Sequence, residues 1–196
     1  MAARRASVLG LLLLLPLLPS ASSSSMVFTL DGNVYPDGHL YVTVNIGEKE
    51  KEKPYFLDID TGSNLSWLEC DAGKGTCETC NKVPHPLYQV ISKKLVPCAR
   101  SLCNVVHGDL GTNKTCRDGP DQCGYDIHKF DGSRTLGVLL VDKFSFPMGH
   151  GSSARSDIAF GCGYNQVKKG NKRKVAVDGI LGLGRGSVDL VSQLKR

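Results

Sequence analysis

The stretch "FLDIDTGSNLSW", Phe56 to Trp67, sets a carboxylate, Asp60, in a turn of small polar residues directly after an alternating apolar run. Gly62 lets backbone or ligand approach that carboxylate closely. Thr61 and Ser63 offer hydroxyls that can fix its orientation, and Ile59, Leu65 and Trp67 keep bulk water away. Such surroundings preorganise an acid for proton chemistry. Asp-Thr-Gly alone also reads as an Asx-type turn; the strand before it and Asn64-Leu65-Ser66-Trp67 after it argue for more. A water-activating site of this kind needs a second carboxylate across a cleft.

Outward from this turn the chain reads as β-rich. Leu40, Val42, Val44 and Ile46 alternate with Tyr41, Thr43 and Asn45, the period of a half-buried strand. Tyr55, Leu57 and Ile59 alternate again beyond "EKEKEK" (Glu48 to Lys53), an exposed hairpin tip. The second strand of that hairpin ends at Asp60. The segment from about 70 to 123 has poor periodicity and dense cysteine, Pro and Gly, and reads as a stapled, loop-rich insert. Strands resume at "GYDIHKF", "LGVLLVDKFSF" and "SDIAFGCG", the first two joined through Asp131-Gly132, a hairpin signal. "SVDLVSQL" is the one expected helix, with Ser187 as N-cap and Asp189 in the first turn.

Other features are better explained without chemistry. Gly182-x-Gly184-x-Gly186 before that helix invites a phosphate-binding reading. It matches neither GxGxxG nor the P-loop pattern, and glycines that let strands pass closely explain it better. The five histidines show no nucleophile or metal spacing. The net charge of +5 draws on "KKGNKRK" (Lys168 to Lys174), which lacks interleaved aromatics and reads as a solvated loop rather than a nucleic-acid contact.

Arg4 and Arg5 precede "SVLGLLLLLPLLP" and then "SASSSS", the order of a secretory signal. The apolar run is too short, and too broken by Pro16 and Pro19, to span a membrane comfortably. The expected divisions are a signal peptide over 1–22, a short segment over 23–37 and one domain over 38–196, with no membrane partner after the signal is removed. A retained anchor is the competing reading. Cys70, Cys77, Cys80, Cys98, Cys103, Cys116, Cys123 and Cys162 form an even set, as suits disulfides in an oxidising compartment. Cys77-x-x-Cys80 could be half of a zinc site, but no second CxxC or His pair completes it. Spacing alone leaves the connectivity open.

"DTGSNLSW" resembles the first catalytic loop of the pepsin-like aspartic proteases, and "DGILGLG" resembles the segment that crosses behind it. "GNVYPDGHLYVTVNIG", "PYFLDIDTGS", "FGCGYNQ" and "LGRGSVDLVSQLK" are similar to the nucellin-like branch found in plants. The likeness runs from Gly32 to Lys195. It implies the N-terminal lobe of a bilobal, mostly β fold with a disulfide-rich insert and a short C-terminal helix. It implies an endopeptidase acting on peptide or protein substrates, without cofactor or metal, in the secretory pathway, extracellular or vacuolar. Asp60 would be one of two aspartates holding the attacking water, with Thr61 and Ser63 bracing the pair and Trp67 supporting a flap over the substrate.

Two departures from that family matter. Asp-Thr-Gly occurs once and Asp-Ser-Gly not at all, so the second aspartate is expected in a second lobe, and the chain reads as a truncated product, a gene-model fragment or a lone lobe. The flap, Lys129, Phe130, Asp131 and Gly132, carries Lys129 where the family has a tyrosine, and Phe130 takes that place in the next register. Tyr125 lies four residues too early. An inactive pepsin-fold protein serving as a binding or inhibitory module is therefore the alternative, and a homodimer sharing two Asp60 residues is a third. All eight cysteines are expected to pair within the chain, Cys70 with Cys162, stapling the insert back to the sheet. A glycan is expected at Asn113 of "NKT" rather than at Asn64 of "NLS", where it would block the cleft.

Overall fold

The computed structural model of the chain describes residues 26–35, 38–71, 83–117, 121–130, 132–148, 151–167 and 177–195. The expected signal peptide over 1–22, Cys77 and Cys80, Asp131 and the basic run Lys168 to Lys174 lie outside them.

The hairpin around the charged tip forms as its alternation requires. Strands β1 (Asp31–Asn33), β2 (His39–Ile46) and β3 (Lys53–Asp60) pair antiparallel, with Val42 opposite Leu57 and Val44 opposite Tyr55. Val42, Val44, Ile46, Tyr55 and Leu57 face inward and are buried. After the Asp60 turn come β4 (Trp67–Asp71) and β5 (Tyr88–Gln89), then β6 (Thr115–Arg117), β7 (Gln122–His128), β8 (Arg134–Pro147), β9 (Ser153–Val167) and β10 (Gly179–Gly182).

The sheet order is β1-β2-β3-β10-β4-β9-β8-β7-β6, with β5 beside β4. β8 also pairs with β2, Ile46 opposite Phe144, so β2, β3, β10, β4, β9 and β8 close into a ring. Closure leaves fewer open strand edges. Phe144, Phe160, Leu57, Leu68 and Val44 fill the ring, and the rings of Phe144 and Phe160 lie 5.3 Å apart. Each buried phenylalanine contributes about 1.5–3 kcal/mol.

β10 decides the position of the site. It lies parallel to β3 and antiparallel to β4, so the turn from β3 to β4 straddles it. The close passage expected of the glycines is present. A Cβ at Gly179 would sit 2.1 Å from the Trp67 carbonyl oxygen, and one at Gly184 would sit 2.2 Å from Asn64 Oδ1.

Two local expectations are corrected. The insert is not merely loop: it holds α1 (Ser101–Leu110), closed by Gly111 in the left-handed conformation at φ 61°. Arg100 at its N-cap makes no side-chain cap bond, so the usual start signal is missing. α1 buries Cys103, Val106 and His107 against a second core cluster with Leu65, Trp67, Tyr125 and Leu139. The last helix, α2 (Leu190–Leu194), starts later than expected: Asp189 rather than Ser187 is its N-cap, Oδ1 accepting from Ser192 N at 3.1 Å. Among the described residues no helix is long and apolar enough to cross a membrane.

Candidate active site

Asp60 ends β3 and its backbone continues into the straddling turn. Leu183 N donates to the Asp60 carbonyl at 2.9 Å and Gly184 N to the Ser63 carbonyl at 3.0 Å, tying the turn to the residues after β10. Ser66, buried beneath it, accepts from Gly182 N through Oγ at 2.9 Å. The carboxylate thus stands on the middle of the sheet rather than on a free loop.

Its two oxygens are separately held. Gly62 N donates to Oδ1 at 2.8 Å, and Ser63 Oγ donates to Oδ2 at 2.7 Å. Gly62 does not use a left-handed backbone; what counts is space, since a Cβ there would lie 3.2 Å from Oδ1. Thr61 is exposed, and of the two hydroxyls it is that of Ser63 that reaches the carboxylate. The third donor is Lys129, whose Nζ lies 3.2 Å from Oδ2. Burial pushes the Asp60 carboxyl up, but the bonds from Ser63, Gly62 and Lys129 outweigh it and hold the pKa below the ordinary 3.8.

Lys129 comes from the β7–β8 hairpin. Its N–H donates to the Ser133 carbonyl and its carbonyl accepts from Gly132 N, both at 2.9 Å, and Gly132 adopts φ 78° as a tight turn demands. Phe130 at the tip is fully exposed. Tyr125 supplies no phenol to the cleft: it is fully buried, its hydroxyl 3.2 Å from Thr135 Oγ1 and its ring against Gly161 and Gly137. Burial raises its pKa. Trp67 packs in the cluster with Tyr125, Leu65 and Leu139.

Three residues with no expected role hold the floor in place. Asn64 donates through Nδ2 to the Asp109 carbonyl at 3.0 Å and accepts at Oδ1 from Arg185 N and Gly186 N, while Asp109 Oδ2 accepts from Val188 N. Asp178, the acid of "DGILGLG", is buried, and its carboxylate accepts from Phe56 N at 2.7 Å and His85 N at 3.0 Å. His85 Nδ1 lies 2.7 Å from the same carboxylate. The sequence signals for these roles are slight: an amide inside the turn and an acid before the glycine run. His39 pairs with Asp58 at 3.0 Å at the open end of the hairpin.

Cys70 is joined to Cys162, Cys98 to Cys116 and Cys103 to Cys123, with Cα atoms 5.5, 5.7 and 5.8 Å apart. The first ties β4 to its neighbour β9; the other two clamp α1 and its flanks to β6 and β7. Cys103, His107 and Cys123 also bring three ligand atoms within 4.8 Å. The two sulfurs are bonded to each other, and His107 Nδ1 pairs with Thr112 Oγ1 at 2.8 Å, so this grouping offers a cation no thiolate. Asn113 is exposed.

The sequence family described as Xylanase inhibitor N-terminal matches residues 41–196. An aspartic proteinase of Oryza sativa subsp. japonica is 52% identical over 195 residues, covering 100% of this chain and 45% of the relative. Aspartic proteinase nepenthesin-1 of Nepenthes gracilis is 29% identical over 161 residues, covering 81% of this chain and 32% of its own length. The chain therefore spans less than half the length of these relatives. The crystal structure of conglutin gamma, a basic 7S globulin from lupine seeds, superposes with a TM-score of 0.59 at 19% identity, over 86% of this chain and 42% of that one. That likeness concerns the fold.

Proposed function

Because the chain belongs to the xylanase inhibitor N-terminal family, as the N-terminal lobe of a plant pepsin-like aspartic proteinase, we propose that it supplies one half of an aspartic endopeptidase site. The observation that carries this reading is Asp60 on the sheet floor, oriented by Gly62 N and Ser63 Oγ and held ionised. Two carboxylates brought close together cannot both ionise easily and share a proton. The ionised one takes a proton from water as it attacks the peptide carbonyl. Its neutral partner, from a second lobe, polarises that carbonyl and then protonates the leaving amine. Substrates are peptides or proteins, the compartment is the secretory pathway, and no cofactor is involved.

A second reading has a specific observation in its favour. Lys129 places an ammonium on Asp60 where the water would be held, as suits a non-catalytic module that binds or inhibits other proteins. One comparison separates the two. Peptide cleavage at acid pH is measured for residues 1–196, for the chain extended by a second lobe bearing an Asp-Thr/Ser-Gly loop, and for that extended chain carrying Asp60→Asn. The endopeptidase reading expects cleavage in the second protein alone. Cleavage that survives Asp60→Asn defeats the catalytic role of Asp60, and an inert extended chain supports the binding module.

A further inference from the structure

Lys129 and Asp60 form a charge couple across the gap between the hairpin turn and the sheet floor, Nζ to Oδ2 3.2 Å, with 32% and 28% of their side chains exposed. Among the described residues of the hairpin, the other charged groups engage one another. Arg134 donates from Nε to Asp126 Oδ1 at 2.7 Å and from Nη2 to Oδ2, and His128 Nε2 lies 3.2 Å from the same Oδ1. On the floor, Asp58 is engaged by His39. Lys129 is thus the hairpin cation directed at the place where a peptide must lie if Asp60 is to reach its carbonyl.

A bound peptide cannot leave this couple as it is. For water and a scissile carbonyl to occupy Asp60, the ammonium must withdraw from Oδ2. With Lys129 fixed at its backbone by the turn bonds to Ser133 and Gly132, the ammonium moves only within the sweep of its own side chain. A lysine head separated from its carboxylate and covered by substrate has lost both its partner and much of its water, which is costly. A carboxylate on the substrate, within the reach of the four-carbon stem, restores a partner. A neutral or basic side chain does not.

We propose that Lys129 is a specificity residue that selects peptides carrying aspartate or glutamate beside the scissile bond, its ammonium passing from Asp60 to the substrate carboxylate as the peptide enters. This rests on the reading of Asp60 as the water-activating acid. It differs from a merely inhibitory lysine in its dependence on substrate charge: the couple blocks neutral peptides and yields to acidic ones. The adjacent Phe130, fully exposed at the tip, gives the same hairpin an apolar surface to lay on the peptide.

The test uses the protein carrying its second lobe, at a pH of about 6 where a peptide glutamate is ionised. Peptides that differ only by Glu or Gln at each position flanking the cleaved bond are compared by kcat/KM. Non-cleavable reduced-amide versions of the same pairs are compared by calorimetric affinity. The expected result is a Glu preference of about tenfold or more at one flanking position, in cleavage and in binding. It should fall towards unity in Lys129→Met, persist in Lys129→Arg, and turn towards Lys-bearing peptides in Lys129→Glu. An equal preference in Lys129→Met, or no Glu preference in the parent, overturns the proposal. Asp60→Asn is read separately: undiminished cleavage there sinks the aspartate mechanism, while the affinity ratio of the non-cleavable peptides still decides the role of Lys129.

Discussion

Asp178 reaches across 122 positions of sequence to accept the Phe56 backbone N–H at 2.7 Å, and the same buried carboxylate takes the His85 backbone N–H and ring. It is the clasp between β3 and the segment leading into β10. Asp178→Ala removes the shared acceptor of those half-buried donors, at a cost of about 2–4 kcal/mol. For a domain of this size each kcal/mol is roughly 2–4 °C in melting temperature, so thermal unfolding should fall by on the order of 5–15 °C. A change within experimental error would show that the clasp is dispensable.

The pH behaviour of Asp60 follows from its lowered pKa. A carboxyl held lower when folded than when unfolded adds stability above its unfolded value and loses it as pH falls through the folded one. Its carboxyl carbon, followed by NMR, should therefore titrate below the ordinary 3.8. Lys129→Met removes a hydrogen bond and a positive charge, so the midpoint should move up. A midpoint that moves down, or stays in place, would mean that Lys129 does not hold Oδ2 in solution.

The Cys70–Cys162 bond closes a loop of 92 residues and joins two paired strands of the ring. In the chain-entropy account a loop of that length contributes about 4–5 kcal/mol. The double replacement Cys70→Ala with Cys162→Ala should lower the denaturation midpoint accordingly. Non-reducing peptide mapping of the parent should recover the Cys70–Cys162, Cys98–Cys116 and Cys103–Cys123 fragments, and a different partner for Cys162 would contradict the arrangement.

Of the two sequons, Asn113 should carry the glycan. It is exposed, whereas the amide nitrogen of Asn64 is already donating to the Asp109 carbonyl at 3.0 Å. A sugar on Asn64 would disturb that bond and part the Asp60 turn from α1. Site-specific mass spectrometry of secreted protein should find Asn113 occupied and Asn64 bare. Asn64 glycosylated in folded material would count against the turn as described.

The parts legible from sequence are those set by short-range pattern. Alternation at Val42, Val44 and Ile46 marks the strand and its inward face, and Asp60-Thr61-Gly62-Ser63 marks the carboxylate and two of its donors. α1 stays hidden because its N-cap is an arginine and its place is fixed by cysteine pairing and burial rather than by local signals. The roles of Asn64 and Asp178 depend on partners 45 and 122 positions away, and no local pattern announces such bonds. The family resemblance marks Lys129 as a residue of the expected flap, but only the hairpin's fold brings its ammonium to Asp60.

The threading of β10 between β3 and β4 also governs when the site comes into being. β3 ends at Asp60, yet the strand that must slide in beside it begins at Gly179. On a ribosome the Asp60 turn emerges long before its floor exists, and that floor depends on parallel, long-range pairing, the slow kind. The gap between β3 and β4 must therefore stay open, or reopen, until β10 arrives. Until β10 emerges the nascent chain carries Asp60 without the backing that aims it, a delay that comes from strand order alone.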